Sequence, residues 1–522
     1  MAGRIKLPFV LNPTAIVSCS GHRVFVGVAR RYRMGAKRAV LRKCNAQKVA
    51  AIEASMTTAP HKPRPVASPG PETDIGDACR ADHSSAVPAF GEAVQVWANI
   101  GLTSFGGPAG QIAMMHRILV DEKKWLDERT YLLALNFCTL LPGPEAMQLA
   151  TYSGWRLHGI KGGLAAGLLF VLPGALVILA LSALYAAFGQ VPALTALFTG
   201  IKAAVLAIVI EALLRISKKS LKNRTEWLIA AASFVAIFFF KVPFPLIILA
   251  AGVIGYLSLP AVSASSAPAA QIDRGGQGAM TPTSPVAWRD TAKTVAMWLA
   301  IWIVPLLAVA AIFGTDHVLA KLALFFSKLA VVTFGGAYAV LAYMAQDVVQ
   351  VHGWLRPGEM LDGLGLAETT PGPLILVTEF VGFLAAYRAG GGEPLLMGTL
   401  GAVVTLWATF APCFLFIFAG APYIERLQSA PRLKSALSGI TAAVVGVILN
   451  LSLWFALHVL FKSVAEFDAG PLHMIVPDVA TIDPTTAALA IVAAVLLFGL
   501  HRGIMTTLAV CGALSLALAQ LA

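Results

Sequence analysis

Two nine-residue words, TSFGGPAGQ at 103–111 and VTFGGAYAV at 332–340, sit far apart in one chain, and the likeness extends well beyond them. A shift of 229 positions lays Phe105, Gly106 and Gly107 on Phe334, Gly335 and Gly336. Without a gap it then lays Trp125 and Leu126 on Trp354 and Leu355, and Pro142, Gly143 and Pro144 on Pro371, Gly372 and Pro373. Past the insertion around AGGGEP the shift becomes 239, which brings Pro173 onto Pro412 and GIKAAV at 200 onto GITAAV at 439. Agreement over that span is an internal duplication, so this chain folds as two related halves.

The solvent of those halves follows from composition. With 57% hydrophobic and 13% charged residues in 522, and a mean hydropathy of +0.76, the chain lies outside the range of water-soluble domains. It reads as an all-α polytopic membrane protein. Apolar stretches of about 20 residues, the length that spans a bilayer, occur near 90–119, 131–154, 163–188, 193–216, 226–240 and 243–259. Further stretches follow near 292–313, 318–346, 360–387, 395–419, 434–461, 483–500 and 503–521, about thirteen in all. Residues 260–291, rich in Ala, Ser, Gly and Pro, read as a linker between a first domain at 90–259 and a second at 292–522. The extra segment at the start of the second domain displaces equivalent segments by an odd number. The two halves are therefore expected to be an inverted-topology repeat, an architecture that places a substrate site where broken helices of both halves meet.

Charge adds orientation. The formal net charge is +12, but residues 1–55 hold eleven Lys or Arg against the single acid Glu53, so the remainder is near neutral and gives no reason to expect a nucleic-acid partner. Residues 1–89 read as a disordered basic region. Its first 55 residues fit an organellar presequence or sequence upstream of a start at Met56, and MTTAPHKPRPVASPGPETD, which looks like an ordinary bacterial N-terminus, favours the second. Basic loops carrying Arg215, Lys218, Lys219, Lys222 and Arg224, and Arg426, Arg432 and Lys434, predict a cytoplasmic N-terminus and an outside C-terminus. Lys123, Lys124 and Arg129 dissent, balanced by Asp121, Glu122, Asp127 and Glu128.

Chemistry concentrates at the repeated words. Gly106 and Gly107 with Pro142 and Gly143, matched by Gly335 and Gly336 with Pro371 and Gly372, interrupt apolar stretches twice in each half. Irregular backbone at membrane depth must be buried or line a cavity, and the helix N-termini it opens present free N–H groups to an anion. The competing reading is that these residues only permit kinks and close helix packing. Ser104 and Thr333 can donate hydroxyls to an oxyanion or bond back to their own helix. Arg117 and Lys202 are candidate cations, the second in a run from which an interface is hard to reach. Glu145, Glu368 and Glu379 flank the PGP words as candidate proton carriers. Six cysteines without CxxC, histidines without ligand spacing and the lack of a P-loop leave no cofactor or metal site to expect.

SFGGPAGQIAMMHRILVDEKKWLDE, LLPGPEAMQLATYSGW, TFGGAYAVLAYM and AETTPGPLILVTEFVGF resemble the hallmark motifs of the chromate ion transporter (CHR) family, long-chain two-domain type, over roughly residues 90–520. The resemblance implies two homologous domains in antiparallel orientation that expel chromate under the proton motive force, conferring chromate resistance, in the bacterial inner membrane and with no cofactor. The second half departs from the pattern of the first, reading FGGA for FGGP. Rival readings are a sulfate or other tetrahedral oxyanion exchanger or uptake transporter, and an intramembrane enzyme acting on a lipid phosphate. Against the enzyme, His116, His158, His352, His458 and His501 lack paired spacing and no nucleophile with a base is evident. The oligomeric state stays open, a homodimer included.

Overall fold

The structure is a computed structural model that describes residues 88–521 except 190, 259–287, 333, 335–336, 425–430 and 471. The basic head, most of the linker, Thr333, Gly335, Gly336 and Arg426 therefore lie outside the described residues. The first half comprises α1 (Phe90–Thr103), α2 (Gly107–His116), α3 (Glu128–Cys138), α4 (Glu145–Phe188), α5 (Pro192–Ser220), α6 (Arg224–Phe240) and α7 (Phe244–Ser258). After α8 (Trp288–Phe313) the same succession returns as α9 (Val318–Val332), α10 (Ala337–Gln346), α11 (Pro357–Thr369), α12 (Val377–Ala389), α13 (Pro394–Gly420), α14 (Pro431–Leu460), α15 (Pro484–Ala494) and α16 (Ile504–Leu521). Correspondence reaches the details. Both α2 and α10 widen into a π turn, at Arg117–Glu122 and Asp347–Val351. A break in helical backbone at His158 and Gly159 divides α4 where α12 and α13 are separate.

Six described helices are long and apolar enough to cross a membrane: α4, α5, α8, α13 with its short extension, α14 and α16. Several of the apolar stretches counted as single spans are instead pairs of shorter helices. The stretch 90–119 breaks where Gly106 and Gly107 adopt φ of +86° and +71°, and 131–154 breaks before α4, where Gly143 adopts φ of +112°. A helix of ten to fourteen residues rises about 15–20 Å and reaches only part-way through a hydrocarbon core about 30 Å thick. The chain is all-α as expected apart from one short antiparallel hairpin, β1 (Val464–Ala469) and β2 (Leu472–Pro477), which connects α14 to α15. It occupies the interval 462–482, where the apolar stretches leave a gap.

The halves exchange their last helices. α14 of the second half packs on α6 and α7 of the first, while α5 of the first packs on α15 and α16 of the second. Small residues permit both crossings: a Cβ on Gly439 would collide with the Ala251 carbonyl of α7, and one on its repeat counterpart Gly200 would collide with the Cys511 carbonyl of α16. Glu226 begins α6 by accepting from the Lys222 and Asn223 amides and takes a third bond from Ser438 of α14 at 2.7 Å. The start of α14 and the basic end of α5 thus share one face of the bundle. Leu176, Leu246, Leu249 and Leu307 point outward, as helices in a lipid solvent require.

Candidate functional site

The breaks of both halves surround one small cavity. Its lining comes from helix starts: Pro108 and Gln111 from α2, Pro144, Glu145 and Ala146 at the head of α4, Ala337 opening α10, and Pro373 and Leu374 at the turn leading into α12. The residues preceding three of these starts, Gly106, Pro144 and Pro373, make no side-chain cap, so the first amides keep their hydrogen-bonding capacity for another acceptor. Four N-termini aimed at one small volume carry partial positive charge without any Lys or Arg in the lining.

Cross-half hydrogen bonds hold this geometry. The Gly372 amide donates to the Ser104 carbonyl at 2.9 Å. Gln111 Nε2 donates to the Gly372 carbonyl at 2.6 Å and to the Ser104 carbonyl at 3.3 Å, joining the FGG break of one half to the PGP break of the other. Gln148 Nε2 donates to the Pro142 carbonyl at 2.6 Å, and a Cβ on Gly143 would stand 3.0 Å from Cys413 Sγ. The reciprocal contact is Gly174 against the Pro371 carbonyl; Cys413 and Gly174 are themselves repeat counterparts. Each PGP turn thus rests on the long helix of the opposite half. The Ser104 hydroxyl is fully buried and has no partner among the described residues. At Gly106 and Gly107 an added Cβ would enter open space, so glycine there answers to positive φ rather than to a tight neighbour.

Of the residues singled out from sequence, Ser104, Gly106, Gly107, Pro142, Gly143, Pro371 and Gly372 belong to the breaks around the cavity, and Glu145 lines it. Glu368 is buried near the start of α10, where the Tyr338 hydroxyl donates to its Oε1 at 2.9 Å. Arg215 and Glu211 of α5, themselves paired at 2.6 Å, lie within electrostatic reach of Glu368, and Lys219 within reach of Glu145. Glu379 is buried in α12 without contributing to the cavity lining. The two candidate cations are not at the cavity. Arg117 stands at the far end of α2, exposed and 3.2 Å from Glu122, and Lys202 lies 3.2 Å from Asp362. Gln111, Tyr338 and Asp362 escaped the sequence reading. Gln111 sits inside the first repeated word and differs from its counterpart Val340, a discordance that could have flagged it.

The sequence model of the family described as "Chromate transporter" matches residues 91–256 and 320–516. The chromate transport protein of Pseudomonas aeruginosa is 34% identical over 352 residues, 67% of this chain and 76% of that protein. That of Cupriavidus metallidurans is 29% identical over 383 residues, 70% and 82% of the two chains. A probable chromate transport protein of Synechococcus elongatus is 30% identical over 363 residues, 69% and 84%. No solved structure matches the chain. With two broken-helix halves around one cavity and a family match across both, the chain belongs to the chromate transporter family and is a membrane transporter rather than an enzyme.

Proposed function

We propose that this protein expels chromate from the cytoplasm across a bacterial inner membrane, driven by the proton motive force, and thereby confers chromate resistance. The observation that carries this reading is the convergence of four helix N-termini from both halves on one cavity free of fixed cations. A tetrahedral dianion can accept from several N–H groups there while Glu145 and the buried Glu368 take up protons as it passes. Ser104, through its unpartnered hydroxyl, adds a donor. Thr333, Gly335 and Gly336, outside the described residues, are the second half's candidate substrate-binding residues in this scheme. Repetition of the element order and the reciprocal exchange of last helices support an inverted repeat, in which one half rocks against the other about the cavity. The face that bears the basic end of α5 and the start of α14 is then cytoplasmic.

Inverted vesicles from cells expressing the chain should accumulate chromate, faster with an imposed proton gradient than without. Accumulation indifferent to the gradient removes the coupling, and no accumulation removes the direction. Backbone amides do not discriminate between oxyanions of one shape and charge, so sulfate is the second reading. Suppression of chromate flux by equimolar sulfate would favour it.

A further inference from the structure

The Lys202–Asp362 pair lies apart from the cavity and has no equivalent in the repeat, whose counterpart positions are Thr441 and Leu133. Asp362 is 4% exposed, on α11 and seven residues before the end of the helix that leads to the second PGP break. Tyr185 of α4 donates its hydroxyl to Oδ2 at 2.8 Å, and the Lys202 ammonium of α5 pairs with Oδ1 at 3.2 Å. One turn toward the surface, Glu359 accepts two bonds from Arg388 of α12, at 2.9 and 2.8 Å. The side chain of Arg388 is 43% exposed, so the cluster reaches the protein surface. The remaining elements packed on α11 offer Asp362 no other charge: α16 carries only the buried Cys511 as a titratable group, and α14 has Arg432, Lys434 and His458 only at its ends.

Charges inside a membrane protein that contact no substrate are expensive to keep and mark ion or proton pathways. This cluster is balanced, two cations against two carboxylates. Adding one proton to Asp362 leaves it with a net positive charge beside a helix that ends at the cavity. The cluster sits by the α4–α5 connection, at the opposite end of α5 from the basic face, and so toward the side from which protons enter in the proposed orientation.

We propose that Asp362 is a proton-binding site that couples proton entry to oxyanion movement, with Lys202 as its gating counter-ion. A proton from solvent bonds to Oδ1, the oxygen that Tyr185 leaves free, and the released ammonium then favours a dianion advancing from the cavity. Return of the proton restores the pair. This inference rests on the transport reading of the preceding section and deepens its coupling step.

The test uses the full chain in proteoliposomes with radiolabelled chromate, measuring exchange at equal pH on both sides and flux under an imposed pH difference, each per folded molecule. The parent should exchange chromate and respond to the gradient by a factor of about 5 or more, the lower edge of ordinary coupling. Asp362→Asn should exchange within about twofold of the parent but lose the response, while Asp362→Glu retains both. A gradient response in Asp362→Asn equal to the parent's overturns the inference, as does loss of exchange in folded Asp362→Asn, which would place Asp362 in the substrate step. Absence of exchange in the parent instead overturns the transport reading itself. Should Asp362→Asn fail to fold, Tyr185→Phe serves: it should move the pH at which the gradient response is half-maximal while exchange stays within about twofold of the parent, and an unmoved midpoint overturns the inference.

Discussion

The first half and the second half share the paired glycines of FGG, the PGP turns and the glycines of their last-helix crossings, and differ in several polar residues. Gly200 and Gly439 make the same close crossing, and Pro173 and Pro412 occupy equivalent positions in α4 and α13. Yet Gln111 faces Val340 across the repeat, Gln148 faces Val377, Lys202 faces Thr441, and the Glu211–Arg215 pair faces Asn450 and Trp454. The symmetric residues set backbone geometry, which both halves need, because each must break a helix at the cavity and lend its last helices to the other. Asymmetric residues set chemistry, and they make one half differ from the other. A second pocket, which Ile237 and Phe238 of the first half help to line, brings together Asn450, Trp454, Gln346 and the β2 residue His473.

The comparison can be broken most severely at the shared crossings. Gly200→Ala and Gly439→Ala should each reduce folded yield strongly and by similar amounts, since overpacking a close contact costs about 3 kcal/mol or more when backbone carbonyl is the obstacle. Detergent-extracted monodisperse protein is the measure, and tolerance of one variant but not the other would end the claim of equivalent roles. Next in size is Gln111→Leu, which strips the cross-half clamp and leaves the Gly372 carbonyl unsatisfied. A loss of about 1–3 kcal/mol should lower flux per folded molecule by roughly tenfold, 1.4 kcal/mol being one decade. Val340→Leu at the counterpart position should leave flux near the parent's, and equal losses would erase the asymmetry.

Gly107→Ala should act more mildly. Its space is open and its φ is +71°, so the expected penalty is about 1–2 kcal/mol of left-handed backbone strain, appearing as slower flux with intact insertion. Unchanged flux per molecule would argue that the break serves helix packing alone. The smallest effect is expected at Lys123→Ala. Lys123 pairs with Glu92 at 2.8 Å on an exposed surface, so only capture of chromate at low salt should slow, by less than about twofold. A large effect at high salt would assign Lys123 a closer role.

Much of the architecture was legible along the chain. The register of the repeat and the apolar composition are properties of sequence, and the first FGG and both PGP words announce broken helices because glycine and proline act on their own backbone. Counting spans failed where a stretch such as 90–119 holds enough apolar residues for one crossing but contains two shorter helices. A half-helix buried in protein needs the same hydrophobicity as one immersed in lipid, so hydropathy cannot separate them.

Sequence by itself therefore determined the solvent, the duplication and the positions of the breaks, all of which arise from composition or from local backbone chemistry. Tertiary structure alone decided the partners. Gln111 meets Gly372 across 261 residues, Ser438 meets Glu226 across 212, and Lys202, in appearance a cation awaiting an anionic substrate, already faces Asp362. The physical reason is that an ion pair or hydrogen bond depends on distance and burial in space. Helices brought together by the exchange of ends between two halves set those distances, and no local pattern in either half records them.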